Sequence, residues 1–231
     1  ERIAGQKVKV HAMVTPGAHP AVYEPSPRQM AALSRADLYF AAGVPFEKVW
    51  LEKIQAGNPD MTIVHTDAWI DKQPIDRGSA DLQDDHGHGH AHETGDPHIW
   101  LSPPLVMVQA RHILAALCRT DPENREAYES NAKIFLAELA DLDARLRQMF
   151  ADLSSGGRFL VFHPSWGYFA DAYNLEQIAV EKSGKSPKAA DLQRLITFAR
   201  KNRIRAVLVQ PQISSKTADT IARAIDGQVI S

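Results

Sequence analysis

A chain of 231 residues with 44% hydrophobic content can bury one large core or two smaller ones of about 100 residues each. Its 26 Lys and Arg against 28 Asp and Glu give a formal net charge of −2 without a basic stripe, so a nucleic-acid partner is not expected. No apolar run approaches the ~20 residues of a membrane span. The single cysteine, Cys118, excludes an intramolecular disulfide and a zinc site made of cysteines.

The first part of the chain alternates between strand and helix patterns. Strands are predicted at residues 7–14, 37–42 and 61–65, with helices at 27–35 and 45–55 between them. Strands that alternate with helices imply a parallel sheet covered on both faces. The fold class expected here is therefore α/β.

A histidine-rich segment follows at residues 84–103, with the sequence DDHGHGHAHETGDPHIWLSP. Its regularly spaced members are His86, His88, His90 and His92. They alternate with Gly and Ala, which predicts a mobile tract that binds divalent metal weakly in many arrangements. The alternatives are a solvated low-complexity loop or a metal-affinity tag. His98 differs, because Asp96-Pro97 restrains the chain before it and Ser102-Pro103 is typical of a helix start after it.

Two helices are predicted next, at residues 102–118 and from 121 to about 153, and the second would be near 50 Å long at ~1.5 Å per residue. That length suggests a strut between two lobes. After the second helix, strand and helix patterns alternate again. The later strands are predicted at 158–162, 176–180 and 206–210, and the later helices at 166–173, 188–202 and 214–225. We expect an N-terminal lobe at 1–102 that includes the histidine-rich loop 84–98, connecting helices at 103–154 and a C-terminal lobe at 155–231.

Both ends of the sequence are typical of a longer protein. ERIAGQKVKV resembles the last turn of a helix that stops at Gly5 and leads into a strand, and GQVIS stops within a strand pattern. We therefore expect further residues at both ends, and a cleaved signal peptide before the first of them.

Three histidines in separate loops are candidates for a metal site. His163 directly follows RFLVF, at the carboxyl end of a predicted parallel strand, which is the edge where α/β sheets bind ligands. His19 lies in the loop after the first predicted strand, and His98 lies before the connecting helices. If the three meet, they suit Zn²⁺, which accepts neutral imidazole and often leaves a fourth position to water or a carboxylate. Nitrogen ligands argue against magnesium and calcium.

The other histidines are interpreted differently. His11, within a predicted strand, and His112, on a predicted helix, are expected to be structural, and His65 is left open.

Four motifs, in order along the chain, resemble the signatures of the zinc and manganese family of solute-binding proteins for ABC importers. They are PGAHPAVYEPSPRQ, DPHIWLSP, FHPSWGYFADAYNLEQIAVE and the region 186–214, which ends VLVQPQIS. The match covers nearly the whole chain, and the histidine tract before DPH resembles the zinc-specific branch. The resemblance implies two Rossmann-like βα lobes joined by a long rigid helix, with the metal in the cleft between the lobes.

The resemblance also implies ligand positions. His98 in DPHIWLSP and His163 in FHPSWGYF match family ligands directly. The first family ligand, a histidine two residues before the tyrosine of YEP, is Ala21 here, and His19 stands two residues earlier. We expect a shifted loop to deliver His19 to the metal; otherwise His19 is exposed and the site lacks one ligand.

The C-terminal part of the family pattern differs as well. The carboxylate that the family often supplies near its C-terminus would lie beyond Ser231, so water or a later residue would complete the site. The VEP of the family is VQP here, and Gln210 is assigned no metal role.

The leading hypothesis is a periplasmic or membrane-anchored extracytoplasmic receptor that captures Zn²⁺ as a transported ligand and delivers it to an ABC importer permease. A monomer is expected. A manganese or iron receptor of the same family is the main alternative. A zinc hydrolase is disfavoured, because His92-Glu93 is not followed by the second histidine of HExxH and HGHGHAH lacks the aspartate of HxHxDH. A metal-storage or surface-adhesion protein is a third possibility.

Overall fold

The computed structural model describes residues 1–15, 18, 23–75, 95–153, 156–181, 187–210 and 216–230. The helices are α1 (Pro27–Leu33), α2 (Pro45–Gly57), α3 (Pro103–Thr120), α4 (Arg125–Phe150), α5 (Gly167–Ala172), α6 (Ala189–Lys201) and α7 (Lys216–Ala224). The strands are β1 (Leu38–Ala41), β2 (Thr62–His65), β3 (Gly157–Val161), β4 (Leu175–Ala179), β5 (Ala206–Leu208) and β6 (Gln228–Ile230). Both sheets are parallel, so the predicted α/β fold is confirmed.

Contacts divide the chain into two compact units. The first comprises Glu1–Asp71 and Pro103–Arg145, and the second comprises Lys72–Ser102 and Leu146–Ser231. The predicted lobes at 1–102 and 155–231, with separate connecting helices at 103–154, follow a different division and stay a prediction.

The first unit is built on the β1 and β2 pair, which runs in register from Leu38 opposite Thr62. Ser26 starts α1 through a capping box with Gln29, which satisfies backbone N–H groups that have no partner inside the helix. Tyr128 of α4 is fully buried and packs in a cluster with residues of α3. That cluster fixes the first part of α4 against α3.

Helix α4 is shorter than predicted. Pro122–Asn124 forms a separate 3-10 turn, and α4 spans 26 residues, or about 39 Å at ~1.5 Å per residue. Among the described residues, no helix is long and apolar enough to cross a membrane.

The predicted strand at residues 7–14 is wrong. A single turn closes at Gly5, which has a φ of +59° and donates its N–H to the Glu1 carbonyl, but residues 7–14 then run without strand structure. Val10 is 49% exposed. Alternating apolar residues stabilise a strand only where a neighbouring strand takes up the ladder hydrogen bonds, and none of the described strands pairs with residues 7–14.

The second unit holds a four-stranded sheet in the order β4, β3, β5, β6. Its core is apolar, with Leu160, Ile178, Val207 and Ile221 fully buried. The register pairs Val161 of β3 with Ala179 of β4 on one side and with Leu208 of β5 on the other. The residues that follow these three strands therefore emerge at one edge of the sheet.

Candidate metal centre

The segment that carries His98 is held by its own backbone. Asp96 donates its N–H to the Gln73 carbonyl at 2.6 Å, and the Tyr168 hydroxyl of α5 donates to the Asp96 carbonyl at 2.8 Å. Gly95 has a φ of +60°, and a Cβ there would lie 2.4 Å from the Cβ of Lys72. Only glycine fits this turn, which delivers Asp96 and His98 to a fixed place.

Asp96 orients the imidazole of His98. One carboxylate oxygen, Asp96 Oδ1, accepts the backbone N–H of His98 at 2.9 Å and its ring Nδ1–H at 2.6 Å. Asp96 is 1% exposed, so few water molecules compete for this interaction. With the proton assigned to Nδ1, metal coordination by His98 would go through Nε2.

Glu181 orients the imidazole of His163 as Asp96 orients that of His98. His163 follows β3 and Glu181 follows β4, each two residues beyond the register pair Val161 and Ala179, so the strands bring the two side chains together. The ring Nδ1–H of His163 donates to Glu181 Oε1. A metal ion bound by His163 would therefore also be coordinated through Nε2.

The two imidazoles are neighbours. The ring centroids of His98 and His163 lie 5.1 Å apart at an interplanar angle of 75°, and Trp100 packs edge-on against His98 at 5.3 Å. Zn²⁺ binds imidazole nitrogen at ~2.0 to 2.1 Å, and two rings whose centroids lie 5.1 Å apart are close enough to share one ion. In the part of the chain that the structure describes, no group of three or more His, Cys, Asp or Glu side chains is placed to hold a metal.

The neighbouring strand β5 supports the loop after His163. Gln210 donates its amide to Ser165 Oγ at 2.8 Å, and Ser165 donates its backbone N–H to the His163 carbonyl at 2.8 Å. Three adjacent parallel strands thus contribute to this edge of the sheet.

The other histidines considered in the sequence have different surroundings. The ring Nε2–H of His112 donates to the Ala68 carbonyl at 3.2 Å, a structural role, whereas His11 is exposed and outside any strand. His65 is exposed, with its ring 3.8 Å from the carboxylate of Asp67. Five predicted metal-binding residues lie outside the described residues, and their roles stay predictions: His19, His86, His88, His90 and His92.

Asp96 and Glu181 were not predicted from the sequence as partners of the two histidines. A signal for Glu181 was present, because the predicted strands 158–162 and 176–180 end directly before His163 and Glu181, and adjacent parallel strands align such residues. Asp96 was noted only as part of a rigid Asp-Pro dipeptide.

Comparisons with known proteins extend over the whole chain. The family model described as "ZnuA: Zinc-uptake complex component A periplasmic" matches residues 1–231. The high-affinity zinc uptake system protein ZnuA of Bacillus subtilis (strain 168) is 31% identical over 229 residues, which are 97% of this chain and 71% of that protein. The zinc-binding lipoprotein AdcA of Streptococcus pneumoniae (strain ATCC BAA-255 / R6) is 29% identical over 96% of this chain and 45% of its own length.

Solved structures extend the likeness to three dimensions. A crystal structure of ZnuA superposes with a TM-score of 0.84 at 39% identity, covering 99% of this chain and 83% of that one. The laminin-binding protein Lmb of Streptococcus agalactiae superposes with a TM-score of 0.82, covering 100% of this chain and 82% of that one, but is 20% identical, so that likeness shows the fold alone.

Proposed function

Because the chain belongs to the ZnuA family of periplasmic zinc-uptake components, we propose that it is an extracytoplasmic solute-binding protein that captures Zn²⁺ and delivers it to the permease of an ABC importer. One observation carries this proposal. Two adjacent imidazoles, His98 and His163, each donate Nδ1–H to a carboxylate. Histidines that bind metal in proteins almost always have such a partner on the other ring nitrogen.

The chain is a binding protein and not an enzyme. Relatives in this family are named as substrate-binding proteins of metal ABC transporters, which confirms the prediction against catalysis and removes the zinc hydrolase alternative.

The carboxylate partners explain how the site would bind a cation tightly. Asp96 and Glu181 fix the tautomer of their rings and make the opposite nitrogen a better donor to the metal. Both pairs are nearly buried, so the ion would exchange its hydration shell for groups that are already oriented. The cation is cargo in this account, and release requires that the site be distorted.

Extracytoplasmic localisation is supported by the names of the relatives. AdcA is described as a lipoprotein and the family model as periplasmic. Surface adhesion has less support, because the structures described as laminin-binding proteins are 20% identical or less.

Manganese is the second candidate cargo. The manganese-binding lipoprotein MntA of Halalkalibacterium halodurans is 24% identical over 96% of this chain. Two imidazole ligands favour zinc, whereas carboxylate-rich sites favour manganese.

Competitive titration of the full chain with Zn²⁺ and Mn²⁺ tests the choice of metal. Zinc is expected to displace manganese at equal concentration, because nitrogen ligands prefer zinc in the general affinity order. A preference for manganese would overturn the zinc assignment and leave the fold unchanged.

A further inference from the structure

Two buried polar atoms beside the candidate metal centre have no hydrogen-bond partner among the described residues. They are Asp96 Oδ2 and Gln177 Nε2. Asp96 is 1% exposed and Gln177, in the middle of β4, is 2% exposed. Native proteins rarely leave such atoms unsatisfied, since burying a polar group without a partner costs free energy. We therefore expect these two atoms to have a partner other than the side chains that the structure describes.

The amide orientation of Gln177 follows from its other contact. Gln177 Oε1 accepts the backbone N–H of Trp166 at 3.0 Å. A backbone N–H can only donate, so the amide oxygen must face Trp166 and the NH₂ group must face away. The NH₂ group of Gln177 is therefore a hydrogen-bond donor that points away from Trp166.

Both unsatisfied atoms lie close to Gly167, the first residue of α5. A Cβ built on Gly167 would lie 3.1 Å from Asp96 Oδ2 and 3.3 Å from Gln177 Nε2. The two atoms are therefore at most about 6.4 Å apart, because each lies within 3.3 Å of that Cβ position. A water molecule beside the Cα of Gly167 would donate to Asp96 Oδ2 and accept from Gln177 Nε2, and a methyl group on Gly167 would crowd it.

We propose that Gln177 and Gly167 are positioning residues for the metal centre, acting through a water molecule held between Gln177 Nε2 and Asp96 Oδ2. The inference rests on the proposed function. Asp96 Oδ1 already holds the backbone and ring of His98. A water on Oδ2 fixes the carboxylate plane, so the imidazole of His98 keeps its Nδ1–H tautomer and presents Nε2 to the cation. Because Gln177 is fixed in β4, this chain of hydrogen bonds from Gln177 through the water and Asp96 restrains the imidazole of His98.

Gly167→Ala tests the proposal, with Gly57→Ala as its matched control. The new methyl excludes the water, and zinc affinity, measured by competition with a chromophoric chelator, falls about tenfold, within the range for lost supporting partners. The unfolding temperature of the zinc-free protein should fall as well, because two buried polar atoms lose their partner and lie 3.1 and 3.3 Å from the new Cβ, so zinc affinity is measured at a temperature where the variant is folded. Gly57 is the last residue of α2 and has nothing within 4 Å of a new Cβ, so its variant binds zinc like the wild type.

Nitrogen-15 NMR of the histidine rings separates positioning from stability. Zinc-free wild type shows His98 protonated at Nδ1, and Gly167→Ala shows a mixture of both tautomers. A purely structural role for Gly167 would leave the tautomer unchanged. Zinc affinity within twofold of the wild type in Gly167→Ala overturns the proposal.

Gln177→Leu removes the other side of the bridge and protects the test against misfolding of one variant. The two substitutions act on the same water, so Gly167→Ala in the Gln177→Leu background costs less than twofold further affinity. A full additional tenfold loss contradicts a shared water. A high-resolution crystal structure of the wild type that lacks a water within hydrogen-bond distance of both atoms also overturns the proposal.

Zinc titration of these variants distinguishes the absence of the positioning role from the absence of the metal site. If wild type and His98→Ala bind zinc equally, the metal site itself is elsewhere. If His98→Ala loses zinc while Gly167→Ala and Gln177→Leu do not, only the positioning role is removed.

Discussion

Glu47 in the first unit and Asp96 in the second are both buried carboxylates, yet their oxygens have different partners. Glu47 accepts four hydrogen bonds, from the Tyr39 hydroxyl and from the backbone N–H groups of Ala42, Gly43 and Val44. Asp96 Oδ1 accepts two, both from His98, and among the described residues Oδ2 accepts none.

We interpret the difference as that between a carboxylate that serves only the fold and one that also serves the proposed metal site. Glu47 closes the start of α2, and burial together with its negative charge raises the pKa of Tyr39 above the usual range. All four donors to the Glu47 carboxylate lie within eight residues of it in the sequence. Asp96 gives one oxygen to an imidazole, so its own position depends on contacts from elsewhere in the second unit. Local satisfaction therefore indicates structure, and incomplete satisfaction beside an imidazole indicates function.

The largest expected effect is loss of zinc binding in His163→Ala and in His98→Ala. Each variant removes one of two adjacent imidazole ligands, and the loss of affinity should exceed the about 10- to 100-fold cost of losing a supporting partner. Calorimetric titration measures it. Deletion of residues 84–94 is the control and should change high-affinity binding little. An equal loss in the deletion variant would show that the histidine tract is the true site.

The second effect contrasts the two carboxylates directly. Asp96→Asn removes the negative charge that orients His98 and should lower zinc affinity about 10- to 100-fold. Glu47→Gln should leave zinc affinity unchanged and lower the free energy of unfolding by about 2 kcal/mol, because an amide cannot accept all four hydrogen bonds. Denaturant unfolding and zinc titration of both variants provide the measurements. The contrast fails if Glu47→Gln weakens zinc binding as much as Asp96→Asn does.

The smallest effect concerns a third carboxylate, Asp121 in the first unit. The Tyr128 hydroxyl donates to Asp121 Oδ2 at 2.5 Å and, with Asn124, lowers the pKa of the Asp121 carboxyl below its usual value. Burial and Asp121 raise the pKa of Tyr128 to about 12, so the hydroxyl stays a donor across the neutral range.

A lowered carboxyl pKa stabilises the fold above the unfolded value of about 3.9 and loses that contribution as pH falls through the folded pKa. Tyr128→Phe should therefore unfold at a lower temperature than the wild type near neutral pH, and the difference should shrink as pH falls below about 4. Zinc affinity should be unchanged. Thermal unfolding at several pH values measures the effect, and a constant difference at all of them would contradict this role of the hydroxyl.

Elements with strong local signals were predictable from the sequence. The strands that precede His163 and Glu181 are apolar runs bounded by turns, so their positions were predicted within one or two residues. Their pairing then determines which side chains meet, and this step needed the register of Val161 with Ala179.

Features that depend on distant partners were not predictable from local pattern. Residues 7–14 alternate like a strand, but strand formation requires a neighbour, and none of the described strands pairs with this segment. The position of Asp96 depends on Gln73 and Tyr168, which are distant from it in sequence and carry no chemical signature of their own.

Anomalous diffraction at the zinc edge, on crystals of the zinc-loaded full chain, tests the central claim most directly. One strong peak within about 2.1 Å of Nε2 of both His98 and His163 is the expected result. A zinc peak elsewhere, with no zinc at either ring, would contradict the account.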